Sequence, residues 1–169
     1  MIQKNDLLIR LMNIDDLDVM VKWLNDKKVL EFYDEPPSDL ARVMTRYGPR
    51  IEGKHYVSPY IVEYKHERIG YIQHYKYRVE ELKKYGYPVD RVIYGIDQFI
   101  GETQLWGKGL GATMIQMMLN YLNTNKRVSK VVLDVKKNNA RAISCYKKCG
   151  FREIKELSND LLLMEWSKA

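Results

Sequence analysis

Three glycines at alternate positions mark the segment of the sequence best suited to holding a ligand. The segment reads QLWGKGLGATMI and contains Gly107, Gly109 and Gly111. Glycine lets the backbone turn tightly, so that several N–H groups point toward one place, and a helix that begins there adds about half a positive charge. These features predict a phosphate-binding loop. The spacing matches neither the P-loop of nucleotide triphosphatases nor the dinucleotide-binding GxGxxG motif, which disfavours both classes. The alternative is a glycine-rich turn without a ligand.

A second motif follows along the chain and reads NNARAISCYKKCGF at 138–151. Together the two segments resemble the GNAT superfamily of acetyltransferases, in which a glycine-rich pyrophosphate loop precedes a helix with Asn, Ala-Ile, Tyr and Gly-Phe in that order. The resemblance implies an α+β fold, with a mixed and mainly antiparallel central sheet flanked by helices. It also implies acetyl-coenzyme A (acetyl-CoA) as the cosubstrate.

The same resemblance assigns roles in cofactor binding. Backbone amides of the loop would hold the pyrophosphate, the strand edge at Ile100 and Gly101 would pair with the pantetheine arm, and Asn139 would hydrogen-bond near that arm. The family commonly has Gln or Arg where this chain has Trp106, a small departure because the contact is made through backbone amides. The implied cofactor-binding residues are Ile100, Gly101, Trp106, Gly107, Lys108, Gly109, Leu110, Gly111, Ala112, Asn139 and Tyr146.

Tyr146 falls where many members of the superfamily place a tyrosine beside the thioester sulfur. A phenol there can protonate the coenzyme A thiolate as it leaves, so the resemblance implies a catalytic role. The alternative is a core tyrosine that packs the helix on the sheet.

Three stretches indicate which amine is acetylated: IGYIQHY at 69–75, YGIDQFIGE at 94–102 and LDVKKNNARAISCYKKCGF at 133–151. They are similar to the aminoglycoside 6'-N-acetyltransferases, particularly the type that forms the N-terminal half of a bifunctional resistance enzyme. The similarity extends from WLNDKKVLEFY at 23–33 nearly to the C-terminus and is weaker over 34–60. It implies acetyl transfer to the 6'-amine of an aminoglycoside antibiotic, and hence drug resistance.

Acidic residues near the cofactor motifs suit a small polycationic amine as substrate. A basic protein that binds a cation must concentrate carboxylates locally, and Asp97, Glu102 and Asp134 lie on or just after predicted strands. Asp97 is the candidate for drawing the proton from the attacking amine, directly or through water, and Asp134 for orienting the acceptor. Binding alone is an alternative role for both aspartates, and surface solvation is the alternative for all three acids. The candidate substrate-binding residues are Asp97, Asp134, Glu102, Tyr71 and Gln73, with Glu80 and Glu81 weaker.

Hydrophobic spacing predicts the elements that must position these residues. Helical spacing predicts helices over 15–26, 109–123 and 139–149, and Ser38 is predicted to cap a short helix over 38–47. Strands are predicted over 7–12, 60–64, 69–77, 92–100, 130–135, 151–157 and 161–166. The cluster of Gly48, Pro49, Gly53 and Pro59 predicts a loop, and 78–90 is charged without a predicted element. The order of elements predicts a mixed α+β sheet.

Composition bounds the other possibilities. The 169 residues suit a single domain over 1–169, and no apolar run reaches the roughly 20 residues of a membrane span. The N-terminus does not resemble a secretory signal, so the cytoplasm is expected. Cys145 and Cys149, with three scattered histidines, give no metal-ligand pattern. The net charge of +6 is spread along the chain without an RNA-stacking motif, which disfavours nucleic acid. Nothing in the sequence indicates an oligomeric state.

Two other functions share the cofactor motifs. One is acetylation of another amine: a polyamine, an amino-acid-derived metabolite or a protein N-terminus. The other is a module that binds acyl-CoA or a drug without turnover, which Tyr146, Asn139 and the intact glycine loop disfavour.

Overall fold

One eight-stranded sheet runs through residues 1–168, the part of the chain that the computed structural model describes. In chain order the strands are β1 (Ile2–Lys4), β2 (Leu7–Leu11), β3 (Ser58–Tyr64), β4 (Glu67–Lys76), β5 (Ile93–Ile100), β6 (Lys130–Lys136), β7 (Arg152–Glu156) and β8 (Leu161–Ser167). The helices are α1 (Leu17–Trp23), α2 (Lys27–Phe32), α3 (Leu40–Ile51), α4 (Val79–Tyr85), α5 (Leu110–Lys126) and α6 (Ala140–Lys148). Across the sheet the strand order is β1-β2-β3-β4-β5-β6-β8-β7, and every neighbouring pair except β5 and β6 is antiparallel. The predicted α+β fold, with a mixed and mainly antiparallel sheet, is confirmed.

Helices cover both faces of this sheet, because alternate strand residues point to opposite sides. Ile72 and Ile96 belong to the core on the face covered by α5 and α6. Ile61 and Tyr71 belong to a second core, on the face covered by α1 and α3. Burying each such side chain contributes roughly 1.5 to 3 kcal/mol, so the two cores fix which face each strand residue presents.

The sheet separates between β5 and β6. These two strands pair only where 93–95 lie beside 130–132. Beyond that point β5 continues to Ile100 and β6 to Lys136 without pairing to each other. A wedge therefore opens between the strands, and residues from both faces of the sheet reach it.

The predicted loop at 48–59 is wrong in its first part. Gly48 and Pro49 lie inside α3, which continues to Ile51. The helix persists because Val43 and Tyr47 on its inner face are buried, so tertiary packing outweighs the low helix propensity of Gly and Pro. Asp39, rather than Ser38, caps the helix: its Oδ1 accepts a hydrogen bond from the Arg42 amide at 2.8 Å.

Other differences concern short elements. The predicted helix at 15–26 is shorter, and Asp26 caps a separate helix, α2, by accepting from the Lys28 amide at 2.8 Å. The charged segment 78–90 contains α4, which ends at Gly86 in the left-handed conformation. Strand β1 was not predicted, since it has only three residues. No helix within residues 1–168 combines the length and apolar character that crossing a membrane requires.

Candidate active site

The glycine loop opens onto a cleft of about 540 Å³ that lies at the separation of β5 and β6. Gly107 and Gly109 both have left-handed backbones, with φ of +76° and +80°, which non-glycine residues rarely adopt. A Cβ added at either position would meet no atom within 4 Å, so the space in front of the loop is open. The first turn of α5 carries no acidic residue, and its N–H groups lack intrahelical partners. The loop is therefore suited to a pyrophosphate group.

Cations and an indole ring surround this cradle. Arg141 and Lys148 line the cleft, and the Arg141 guanidinium lies 3.7 Å from the centroid of the Trp106 ring. The Trp106 Nε1 donates to the carbonyl of Ile100 at 2.8 Å, which joins the loop to β5. That hydrogen bond gives the Trp106 side chain a structural role. These two cations were missed as cofactor contacts, although both lie within the motif at 138–151.

The edge of β5 differs in detail from the prediction. Gly101 lies outside the cleft, and its amide donates to Ile69 of β4 at 2.8 Å. A Cβ there would lie 2.2 Å from the Trp23 ring, so close packing explains this glycine. Ile100 lines the cleft, whereas Lys108 does not. Pairing of the pantetheine arm with Ile100 stays a prediction, and the structure does not bring Gly101 to the same place.

Tyr146 lies on α6 inside the cleft and is only 8% exposed. Its oxygen accepts a hydrogen bond from Gln98 Nε2 at 2.7 Å, which leaves its own proton free to be donated. Burial raises the pKa of Tyr146 well above its ordinary value, so the phenol keeps this proton at neutral pH. Asn139 begins α6, where its Oδ1 accepts from the Ala142 amide at 3.2 Å. The side chain of Asn139 thus positions the helix that carries Tyr146.

Carboxylates gather on the opposite face of the sheet. Asp97 on β5 and Asp134 on β6 share this face, and Asp34 and Glu35 approach from the segment after α2. Burial raises the pKa of Asp97, and Gln73 Nε2 donates to its Oδ2 at 2.7 Å. Solvent reaches Asp134, yet the cleft walls surround it. That partial burial, together with the charges of Asp97 and Asp34, raises its pKa to about 6. Four acidic residues in one cleft of a basic protein attract a cation.

Two predicted substrate residues lie elsewhere. Glu102 is outside the cleft, where it binds Lys22 Nζ at 2.6 Å and accepts from Trp23 Nε1 at 3.0 Å. Tyr71 is fully buried behind the cleft wall, and its hydroxyl donates to Gln73 Oε1 at 2.7 Å. The structure therefore does not support direct contact of either with a substrate, because their polar groups are already bound elsewhere. Gln73 itself lines the cleft.

Several cleft residues were missed by sequence reasoning: Asp34, Glu35, Arg46 and Gln98. Glu35 is held by Arg46 at 3.1 Å and by the Tyr47 hydroxyl at 2.9 Å. The acidic pair before Pro36 was the available signal, but it lies where the family resemblance is weaker.

Replacing Asp134 by Asn is expected to stabilise the protein. The folded protein holds the Asp134 proton more tightly than the unfolded chain, so the ionised carboxylate destabilises the fold above pH 6 and less so as the pH falls toward 4. Because solvent reaches the side chain, the gain at pH 8 is small, roughly 1 to 3 °C in melting temperature. Thermal unfolding at pH 8 and pH 5, with Asp90→Asn as surface control, checks this. An Asp134→Asn melting temperature at or below wild type at pH 8 would contradict it.

The glycine loop on one face of the wedge has a backbone suited to phosphate, and the carboxylates on the other face are suited to a cation. Residues 13–159 match the family model described as an acetyltransferase (GNAT) domain, and the chain belongs to that family.

Similar proteins include enzymes named for aminoglycosides. Over 145 residues the chain is 33% identical to aminoglycoside N(6')-acetyltransferase type 1 of Klebsiella pneumoniae, covering 85% of this chain and 72% of the relative. The crystal structure of the aminoglycoside acetyltransferase AAC(6')-Ib with coenzyme A and kanamycin is 28% identical, with a TM-score of 0.78 over 96% of this chain and 95% of the other. A spermidine N-acetyltransferase from Vibrio cholerae shares the fold, with a TM-score of 0.80 over 97% of this chain and 96% of the other at 20% identity.

Proposed function

We propose that this chain is an acetyl-CoA-dependent N-acetyltransferase that modifies the 6'-amine of aminoglycoside antibiotics and so confers resistance. The observation that carries the proposal is the two-sided wedge between β5 and β6. On one side are the glycine loop and Tyr146, and on the other are four carboxylates. The similarity to enzymes named aminoglycoside 6'-acetyltransferases supports the same acceptor.

The loop residues fit acetyl-CoA, which supplies an acetyl thioester when bound. Gly107 and Gly109 provide the close backbone approach, and Arg141 and Lys148 add charge for the phosphates. These groups carry no reacting atom. Their task is to hold the cosubstrate in one place along the wedge.

Two side chains, Asp97 and Tyr146, then accept and donate protons. An ammonium group has no lone pair, so Asp97 takes a proton from the acceptor, directly or through water, before the amine attacks the thioester carbonyl. A new C–N bond forms, the C–S bond breaks, and Tyr146 donates its proton to the departing thiolate. The nitrogen releases its second proton to solvent as the amide forms, and Tyr146 regains a proton from solvent. Asp34 and Asp134 hold the other ammonium groups of the acceptor through charge-assisted hydrogen bonds, whereas Glu35 is already bound by Arg46 and Tyr47.

The test is thiol release from acetyl-CoA with a panel of amines. Kanamycin is expected to release thiol rapidly, whereas a congener with a hydroxyl in place of the 6'-amine should stay near the rate without acceptor, because the nucleophile is missing. Mass spectrometry and NMR of the product locate the acetyl group. Acetylation at another nitrogen would overturn the 6' assignment.

The panel also includes spermidine, an amino-acid amide and a peptide with a free N-terminus. Fast release with one of these, and none with any aminoglycoside, would leave an acetyltransferase with a different acceptor. Absence of release with every amine, despite acetyl-CoA binding, would indicate a binding module. We place the enzyme in the cytoplasm, where acetyl-CoA is available.

A further inference from the structure

Gln73 connects three side chains behind the acidic wall of the cleft. It is 6% exposed and lies opposite Asp97 in the register of β4 and β5. Its Nε2 donates to Asp97, and its Oε1 accepts from Arg50 Nη1 and from the Tyr71 hydroxyl, each at 2.7 Å. A chain of short hydrogen bonds thus runs from α3 through β4 to Asp97.

Arg50 determines which end of the Gln73 carboxamide faces Asp97. A guanidinium only donates hydrogen bonds, so Arg50 binds the oxygen end and leaves the amide nitrogen toward the carboxylate. Tyr71 alone does not fix this orientation, because a hydroxyl both donates and accepts. Arg50 is itself held in place, with its guanidinium carbon 5.0 Å from the centroid of the Tyr47 ring.

We propose that Arg50 is a positioning residue that acts through Gln73 to hold Asp97 ionised and correctly oriented toward the acceptor amine. The inference rests on the proposed function. Arg50 does not line the cleft, whereas Gln73 and Asp97 do, so Arg50 reaches the reaction only through its neighbour. The positive charge of Arg50, close behind the acidic wall, would weaken the binding of a polycationic substrate. A role in substrate binding therefore does not explain why an arginine stands at this position.

The charges around Asp97 come from several elements. Burial raises the pKa of its carboxyl group. Hydrogen bonding with Gln73 and Tyr75, and then the charges of Arg50 and Arg46 on α3, lower the pKa by a smaller amount. Glu35, after α2, and Asp134, on β6, face it with negative charge. The tyrosines that face it are Tyr33, Tyr71, Tyr75, Tyr77 and Tyr146. Loss of Arg50 removes one of the two cations and frees the carboxamide to turn, and both changes favour the protonated form of Asp97.

The test compares the pH dependence of kcat/KM for kanamycin in wild type and Arg50→Met. The acid limb of the profile is expected to move up by about 1 pH unit in the variant. Affinity for acetyl-CoA should change less than about twofold, because the cofactor cradle lies on the other face. Arg50→Lys keeps a charge and a donor and should restore much of the wild-type profile. Arg42→Met removes an exposed arginine from the same helix and should leave the profile unchanged.

A double-mutant cycle separates action through Gln73 from a general effect on packing. Gln73→Met should shift the acid limb in the same direction. At the plateau of the pH profile, kcat/KM of the double variant should lie within about threefold of that of Gln73→Met. Independent, multiplicative losses would overturn the proposal, as would a wild-type profile in Arg50→Met. If Arg50→Met fails to fold, an unshifted profile in Gln73→Met is the contradicting result.

The proposed function is judged separately, on wild type alone. If the panel identifies another amine as acceptor, the aminoglycoside assignment fails, and the same variants are then measured with that amine.

Discussion

Asp97→Asn is expected to lower kcat/KM for a 6'-amino aminoglycoside by about 100-fold or more. The substitution keeps the size of the side chain and still accepts a hydrogen bond from Gln73 Nε2, but it removes the charge that attracts the ammonium and the site that takes its proton. The dissociation constant for acetyl-CoA should change less than about twofold, since the glycine loop lies on the other face. Steady-state thiol release and a separate binding titration measure the two effects.

The matched control is Asp90→Asn, which removes one negative charge from an exposed loop before β5. It should leave both constants unchanged. Because burial raises the pKa of Asp97, its ionised form destabilises the folded protein at neutral pH, so Asp97→Asn should melt no lower than wild type. Wild-type turnover in a folded Asp97→Asn variant would exclude this carboxylate from proton transfer and from essential binding.

The glycine loop and the Tyr146 helix could be predicted from the sequence because each lies within one short segment of the chain. Gly107 and Gly109 lie three residues or fewer from the start of α5, so the same short segment contains the turn and the helix N-terminus. The motif around Tyr146 likewise lies within one helix. The assignment of individual residues to acetyl-CoA stays a prediction, and within it Gly101 illustrates the limit. Adjacent residues of a strand point their amides to opposite sides, and only the pairing of β4 with β5 determines that Gly101 faces away from the cleft.

The acceptor side depends on contacts between distant segments, which spacing does not reveal. Asp97 and Asp134 were identified because an acid within an apolar strand is costly without a partner or a task. Glu102 was included because it follows the same strand as Asp97, but its partners Lys22 and Trp23 come from α1, about 80 positions earlier. Only the folded chain distinguishes an acid with a partner from one that faces a cleft.

Asp34 and Glu35 line the cleft but were not predicted, because their position also depends on contacts between distant segments. Asp34 and Glu35 lie in a segment between α2 and α3 that has no regular periodicity. Arg46 and Tyr47 of α3 hold Glu35 in the wall of the cleft, a contact between segments that spacing does not reveal. The sequence also predicted α3 to end before Gly48, whereas the helix continues to Ile51. The helix carries Arg46, which binds Glu35, and Arg50, which binds Gln73. The predicted helix ended before Arg50, so the sequence did not predict the chain of hydrogen bonds from Arg50 through Gln73 to Asp97.

Tyr146→Phe is expected to reduce kcat by about 10- to 1000-fold while acetyl-CoA still binds. The phenyl ring retains the packing against Phe151, whose centroid lies 5.9 Å away, so the fold should persist. The variant loses the hydroxyl proton that Tyr146 would donate to the thiolate. It also leaves the Gln98 amide without its hydrogen-bond acceptor, which lowers the stability of the fold. The departing thiolate must then take a proton from water, and bond breaking slows.

Pre-steady-state measurement of thiol release, with saturating kanamycin, isolates this step from product release. Tyr64→Phe removes a hydroxyl outside the cleft and serves as the control, with turnover expected within about twofold of wild type. The loss in Tyr146→Phe should appear in kcat and in kcat/KM alike, because the proton is needed only as the C–S bond breaks. If kcat is unchanged while the affinity for acetyl-CoA falls, Tyr146 contributes packing to the cofactor site, and the proton for the thiolate has another source.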